Sequence, residues 1–198
     1  MARLFTAIEL TGATRDAVAA EQRRLTGALR SSGGRDLRMV RAPQLHLTLV
    51  FLGEVAEDRV PTITEAMGRD LPCEPFSLSF AGAGVFPPRG PARVLWLGVA
   101  EGAAQVVRLF DLVSDRLAAV GVPRETRVFA PHLTIGRWRE RGPSRLSLPE
   151  VGTIATEPVS VVTLFHSRLL AAGPEHTAIA HARLAGGGRG VHYTEASA

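Results

Sequence analysis

Two histidines stand in the same local sequence, one in each half of the chain: His46 opens HLTLVFLGEV and His132 opens HLTIGRW. In an extended strand, residues i and i+2 share a side. His46 therefore pairs with Thr48 and His132 with Thr134, while Leu45, Leu47, Leu49, Leu133 and Ile135 point the other way, into an expected core. Each His and Thr start about 7 Å apart at ~3.4 Å rise per residue, so one small anion can touch both. Two imidazoles facing each other across a groove form an acid and a base that work near neutral pH. The hydroxyl beside each can hydrogen-bond the non-bridging oxygens of a phosphate. In-line displacement at phosphorus needs a base on one side and an acid on the other, and two strands from opposite lobes supply them. The sequence offers no Cys/His/Asp cluster at metal-ligand spacing, no Walker-type loop and no nucleophile-elbow serine. No metal or other cofactor is expected.

The elements that must carry these residues follow from periodicity. RLFTAIEL at residues 3–10 reads as a buried strand. Val18, Leu25 and Leu29 fall at helical spacing, and Gly33-Gly34 supply a stop. A short strand around Met39, a turn at Ala42-Pro43 and a strong strand over residues 46–52 come next. A second helix tolerates Pro61 only in its first turn. Two strands flank FPPRGPAR, and a helix over residues 101–120 carries Val106, Val107, Phe110, Val113 and Leu117 before Gly121. Strands over 132–138, near 159–166 and over 177–184 complete the pattern. A strand, a helix and further strands thus occur twice in order. The expected fold is α+β, with two pseudo-symmetric lobes, each an antiparallel sheet backed by helices, and a central cleft receiving one His-x-Thr motif from each lobe. Residues 1–185 are expected to form one bilobal domain, and 186–198 a flexible glycine-rich tail.

Composition bounds the partners. The chain has 198 residues, 45% of them hydrophobic, and no apolar run of the ~20 residues needed to span a bilayer. Glu9 interrupts the first apolar stretch, which reads as a strand and not as a signal peptide. One cysteine, Cys73, excludes an intramolecular disulfide framework. A cytoplasmic monomer is the expectation. The net charge is +4, and all 23 basic residues are arginine. Arginine presents a planar fork suited to phosphate and keeps its proton, so the surface is compatible with a phosphorylated or nucleic-acid ligand.

The paired motifs, together with RLFTAIEL, HLTLVFLGEV, GAGVFPPRGPARVLWLGV, FAPHLTIGR and VTLFHSRL in that order, resemble the 2H phosphoesterases. Within them the chain is similar to the RNA 2′,3′-cyclic phosphodiesterases, also called 2′–5′ RNA ligases. The resemblance runs from Arg3 to about Leu184 and departs at Met39, where that family often has an aromatic residue. It implies hydrolysis of RNA or nucleotide 2′,3′-cyclic phosphate ends to a 2′-phosphate without a metal. His46 would be the proton donor to the leaving 3′ oxygen and His132 the proton acceptor that activates water. The same pair would run slow 2′–5′ ligation in reverse. The resemblance also implies a phosphate contact for Arg137, beside Thr48 and Thr134. By symmetry alone the two histidines are interchangeable.

Other residues carry less chemistry. Phe5 and Phe51 could flank the groove and stack on a base, but core burial is expected for both. Arg89 and Arg93 could guide RNA or sit in surface salt bridges. His166 and His181 lack a threonine two residues on and are expected in structural or surface roles. His176 and His192 fall in loop or tail sequence, and Cys73 follows a proline in a turn. The competing functional class is an RNA-binding module with a vestigial groove, whose salt-dependent affinity would survive loss of both histidines.

Overall fold

The computed structural model describes residues 1–29, 36–170 and 173–186. In chain order the elements are β1 (Ala2–Glu9), α1 (Gly12–Leu29), β2 (Leu37–Met39), β3 (His46–Val55), α2 (Val60–Met67), β4 (Phe76–Phe86), β5 (Val94–Val99), α3 (Ala103–Ala119), β6 (His132–Trp138), β7 (Thr156–Val159), β8 (Val161–Leu170) and β9 (Gly173–Arg183). They build two sheets: a four-stranded one in the order β3-β1-β8-β9 and a five-stranded one in the order β2-β6-β5-β4-β7. Every strand pair is antiparallel. The α+β class and the two antiparallel sheets expected from the sequence are present. His46 opens β3 in one sheet and His132 opens β6 in the other.

The halves repeat one path. β1 leads through α1 to β3, its antiparallel neighbour, and β5 leads through α3 to β6, its own. The helices cross over. α1 is tied to the five-stranded sheet, because the buried Gln22 amide donates to the Val40 and Ile135 carbonyls at 2.8 Å each. α3 and α2 lie behind the four-stranded sheet, joined where the Arg116 guanidinium donates to the Asp70 carbonyl at 2.6 Å. One apolar core extends through both layers and includes Leu4, Ile8, Val18, Leu25, Leu47, Ile63, Leu97, Val113, Leu133 and Ile135.

The local signals behave as their chemistry requires. Pro61 sits at the start of α2, where no intrahelical N–H is lost. Gly102 precedes α3 with φ of 76°, and a Cβ there would lie 2.6 Å from the Ser77 carbonyl oxygen, so only glycine fits. Val107 is exposed, contrary to its place in the expected apolar stripe. The stripe follows 106, 110, 113 and 117, and 107 falls outside that arc. The strand expected near 159–166 corresponds to β8, and β7, one residue before it, was not expected. Gly33-Gly34, His192 and the expected tail from residue 187 onward lie outside the described residues.

Candidate active site

Each motif histidine is anchored in the same way. His46 Nδ1 lies 2.7 Å from the Gln44 carbonyl oxygen, and His132 Nδ1 lies 2.7 Å from the Ala130 carbonyl oxygen. A carbonyl only accepts, so in both rings Nδ1 carries the proton and the neutral ring has its lone pair on Nε2. Both imidazoles are half-buried, as are Thr48 and Thr134.

The strands match beyond the tetrapeptide. From the histidine onward, both read half-buried, buried, half-buried, buried, buried, exposed. The cause is a β-bulge at the same place in each. Thr48 and Phe51, three residues apart in β3, lie opposite Ala7 and Phe5, two apart in β1; Leu49 is the unpaired extra residue. Thr134 and Arg137 likewise lie opposite Trp96 and Val94, with Ile135 unpaired. Strict alternation would turn a residue five places after the histidine to the opposite face. The bulge returns it, so Arg137 rejoins the face of His132 and Thr134, and Phe51 rejoins that of His46 and Thr48. Buried polar groups complete both bulges. Thr6 Oγ1 accepts the Val50 N–H at 3.1 Å, and Gln22 donates to the Ile135 carbonyl.

β3 and β6 are in contact. Arg137 is close enough for its charge to disfavour protonation of His46, and the Arg3 charge in turn disfavours that of Arg137. Burial is the larger influence and pulls the Arg137 pKa down from its ordinary value. Among the described residues neither Arg3 nor Arg137 has an ion-pair partner. Two neighbouring guanidiniums without an ion pair among the described residues suit an anion.

His46 is pushed down from 6.5 to about 4, chiefly by burial and further by His176 and Arg137. Its hydrogen bond to Gln44 and the Glu9 charge oppose the shift. The His176 contact corrects the sequence reading, which left that residue in a loop. It lies on β9 opposite Ser167, and its ring stands edge-on to His46 at 5.4 Å and to Phe5 at 5.0 Å. Its Nδ1 is buried without a hydrogen-bond partner. Gly173-Pro174 does read as a turn, but the strand resumes at once. Only the pairing of β9 with β8 reveals which way His176 faces.

Aromatic rings pack around each histidine. Phe5 touches His46 at 4.9 Å and stacks on Phe165 at 5.1 Å. In the other sheet, Phe86 meets His132 edge-on at 5.0 Å, beside Trp96. The Trp96 ring occupies the space a Cβ on Gly84 would fill, 2.1 Å from its nearest carbon, so glycine at 84 sets the ring's place. Phe5 is buried as expected, at 3% exposure. Phe51 is 65% exposed, which corrects the expectation of a core residue. Met39 packs against Gly136. His181 is exposed on the same face as His46. The Thr163 hydroxyl donates to Glu9 at 2.7 Å, so the His181 Nδ1–H donates to Thr163 at 3.1 Å. Arg89 and Arg93 form no ion pair among the described residues. No cluster of three or more His, Cys, Asp or Glu side chains is placed to hold a metal ion among the described residues. No helix there is long and apolar enough to cross a membrane.

The chain is similar to known proteins. Residues 13–96, which include His46 but stop short of His132, match the family described as LigT like Phosphoesterase. An RNA 2′,3′-cyclic phosphodiesterase of Archaeoglobus fulgidus is 36% identical over 141 residues, covering 71% of this chain and 75% of the relative. One of Methanothermobacter thermautotrophicus is 34% identical over 188 residues, covering 88% of this chain and 95% of the relative. Among solved structures, a Thermus thermophilus protein superposes with a TM-score of 0.74 at 30% identity, over 93% of this chain and 99% of that one. E. coli LigT complexed with 3′-AMP superposes with a TM-score of 0.74 at 26% identity, over 92% and 98%.

Proposed function

The chain belongs to the LigT-like phosphoesterases, a family of 2H phosphoesterases, and from that premise we propose that it opens RNA or nucleotide 2′,3′-cyclic phosphates to 2′-phosphates by acid–base catalysis between His46 and His132. The carrying observation is the matched pair of strands. Each presents a histidine whose Nδ1–H is held by a main-chain carbonyl, with a threonine two residues on and the same bulge after it.

The phosphate lies between the strands. Its non-bridging oxygens accept from the Thr48 and Thr134 hydroxyls and from the Arg137 guanidinium, whose charge has no carboxylate to neutralise it among the described residues. His132 Nε2 takes a proton from a water aligned opposite the P–O3′ bond. The water oxygen forms the new bond to phosphorus, the P–O3′ bond breaks, and the electron pair leaves with O3′. His46 delivers its Nε2 proton to that oxygen, leaving a 2′-phosphate and a 3′-hydroxyl. With a 5′-hydroxyl RNA end in place of water, the same displacement forms a P–O5′ bond as P–O3′ breaks and so makes a 2′–5′ linkage; run backwards, it cleaves that linkage to the cyclic phosphate.

The donor role requires a protonated His46, which the empty groove disfavours. A bound phosphodiester anion supplies the opposing charge, so protonation of His46 accompanies substrate binding. The test is hydrolysis of a short RNA ending in a 2′,3′-cyclic phosphate, with chelator present. Wild type should yield a 2′-phosphate, and His46→Ala or His132→Ala should each lose about 10²–10⁴-fold in kcat. A 3′-phosphate product would exchange the two leaving oxygens. Full turnover by either variant, or RNA binding without any turnover, would reject the reading.

A further inference from the structure

Three donor side chains stand in a row across the four-stranded sheet, beside His46. Arg3 on β1 lies opposite Ser167 on β8, and Ser167 lies opposite His176 on β9. Cross-strand partners share a face, and this face is that of the histidine. Arg3 falls two residues before Phe5 and Ser167 two after Phe165, rings that stack on each other, while the His176 ring meets Phe5 and His46 edge-on. Neighbouring strands lie about 4.8 Å apart. A short serine between two longer side chains therefore leaves a cradle with a guanidinium on one side and an imidazole on the other. Among the described residues none of the three has a side-chain hydrogen bond or an ion pair, and Glu54, opposite Arg3 on β3, does not pair with it. The His176 Nδ1 is buried. A neutral ring tolerates an orphaned lone pair there better than an orphaned N–H, so its proton rests on Nε2. The row thus holds three unused donors, one of them charged, which is the chemistry of a phosphate site. The Arg3 charge is felt at both His176 and Arg137, so the row adjoins the catalytic groove.

Covalent connectivity selects the phosphate. In the reaction above, His46 faces O3′. The ribose carbon next to C3′ is C4′, which carries C5′ and its oxygen, whereas the base hangs from C1′ on the O2′ side. The 5′ oxygen therefore leaves the sugar on the His46 side, where the row stands. We propose that Arg3, Ser167 and His176 form a second phosphate subsite, which holds the phosphate ester on the 5′ oxygen of the nucleotide bearing the cyclic phosphate. This rests on the phosphodiesterase reading and deepens it: the substrate is a strand end, or a nucleotide already carrying a 5′-phosphate, in preference to a bare nucleoside cyclic phosphate.

The experiment compares kcat/KM for adenosine 2′,3′-cyclic phosphate, for the same compound with a 5′-phosphate, and for the dinucleotide ApA ending in a 2′,3′-cyclic phosphate. The readout is the ratio of each phosphorylated substrate to the first, which cancels any loss of folded protein. Wild type should favour both. Arg3→Ala should reduce the ratios about 10- to 100-fold, and Ser167→Ala and His176→Phe about 2- to 10-fold. Arg3→Lys should keep part of the preference. A fall confined to one of the two substrates still supports the subsite and identifies the source of the phosphate, a free 5′-phosphate or the link of a strand. A wild type indifferent to the 5′-phosphate, or ratios unchanged in Arg3→Ala, overturns it. If the wild type turns over none of the three, the phosphodiesterase reading fails by itself. The subsite is then judged by calorimetric affinity for adenosine 2′,5′-bisphosphate relative to adenosine 2′-monophosphate. A preference that drops in Arg3→Ala supports it, and an equal ratio in the two proteins rejects it.

Discussion

His46 and His132 begin from the same tetrapeptide and the same Nδ1 anchor, but their surroundings differ. His46 is enclosed by Phe5, His176 and the reach of Arg137, and burial leads the influences that bring it to about 4. At pH 6 the free enzyme therefore holds His46 neutral. A phosphodiester anion raises the pKa, so a proton is taken up at any pH between the free and bound values. The diester itself does not titrate there. In the His132→Ala protein, calorimetry of adenosine 2′,3′-cyclic phosphate binding at pH 6, repeated in buffers of different ionisation enthalpy, should report uptake of about one proton per ligand. Replacing His46 as well should abolish it. Binding with no uptake would move the donor role to His132. His176→Phe keeps a ring against His46 and Phe5 and removes the second imidazole. The free His46 should then titrate higher, read by NMR of its ring protons; an unshifted titration would mean that burial alone sets its value.

At the scale of elements, the bulges decide what each strand presents. An extra residue after the threonine buries two successive residues, Leu49-Val50 or Ile135-Gly136, and brings the next residue back to the face of the histidine. Thr6, fully buried, holds one bulge by accepting the Val50 N–H. Valine has the same shape and no acceptor, so Thr6→Val should leave that N–H unpaired and lower stability by about 1–3 kcal/mol in urea unfolding. It should also lower kcat/KM, because Thr48 and Phe51 flank the bulge. Wild-type stability would show that the N–H finds another acceptor. The β8–β9 hairpin reaches the same site from the far edge of its sheet: Gln44 donates to the Pro174 carbonyl while its own carbonyl holds His46.

At the scale of the molecule, the two sheets are linked by buried polar contacts as well as by the core. Glu157 on β7, 1% exposed, accepts from the Thr11 main-chain N–H at 3.0 Å and from its hydroxyl at 2.9 Å, at the point where β1 passes into α1. This ties the outer strand of the five-stranded sheet to the end of the neighbouring sheet's second strand. Glu157→Leu removes the acceptor and leaves two donors unmet, with an expected loss of about 1–3 kcal/mol. A smaller loss, below about 0.5 kcal/mol, would mean that water replaces the carboxylate.

The sequence alone determined the composition of the site's centre and the order of the elements. Strand alternation is local, so His-Leu-Thr-aliphatic written twice already placed both side chains on one face and the aliphatics on the other. Duplication of the surrounding pattern was enough to suggest two lobes. β7 was missed because Thr156-Glu157-Pro158-Val159 is short, polar and carries a proline, and so has no strand pattern of its own. What lies beyond the aliphatic after each threonine, or far from the histidine along the chain, was decided by tertiary structure. Arg137 and Phe51 reach the groove only because a bulge breaks the alternation, and a bulge is defined by the register of a partner strand. His176 comes beside His46 through pairing in the β8–β9 hairpin, although 130 positions of sequence number separate the two histidines. Burial, which sets the His46 pKa, belongs to the packed assembly of strands and to no single segment of the chain.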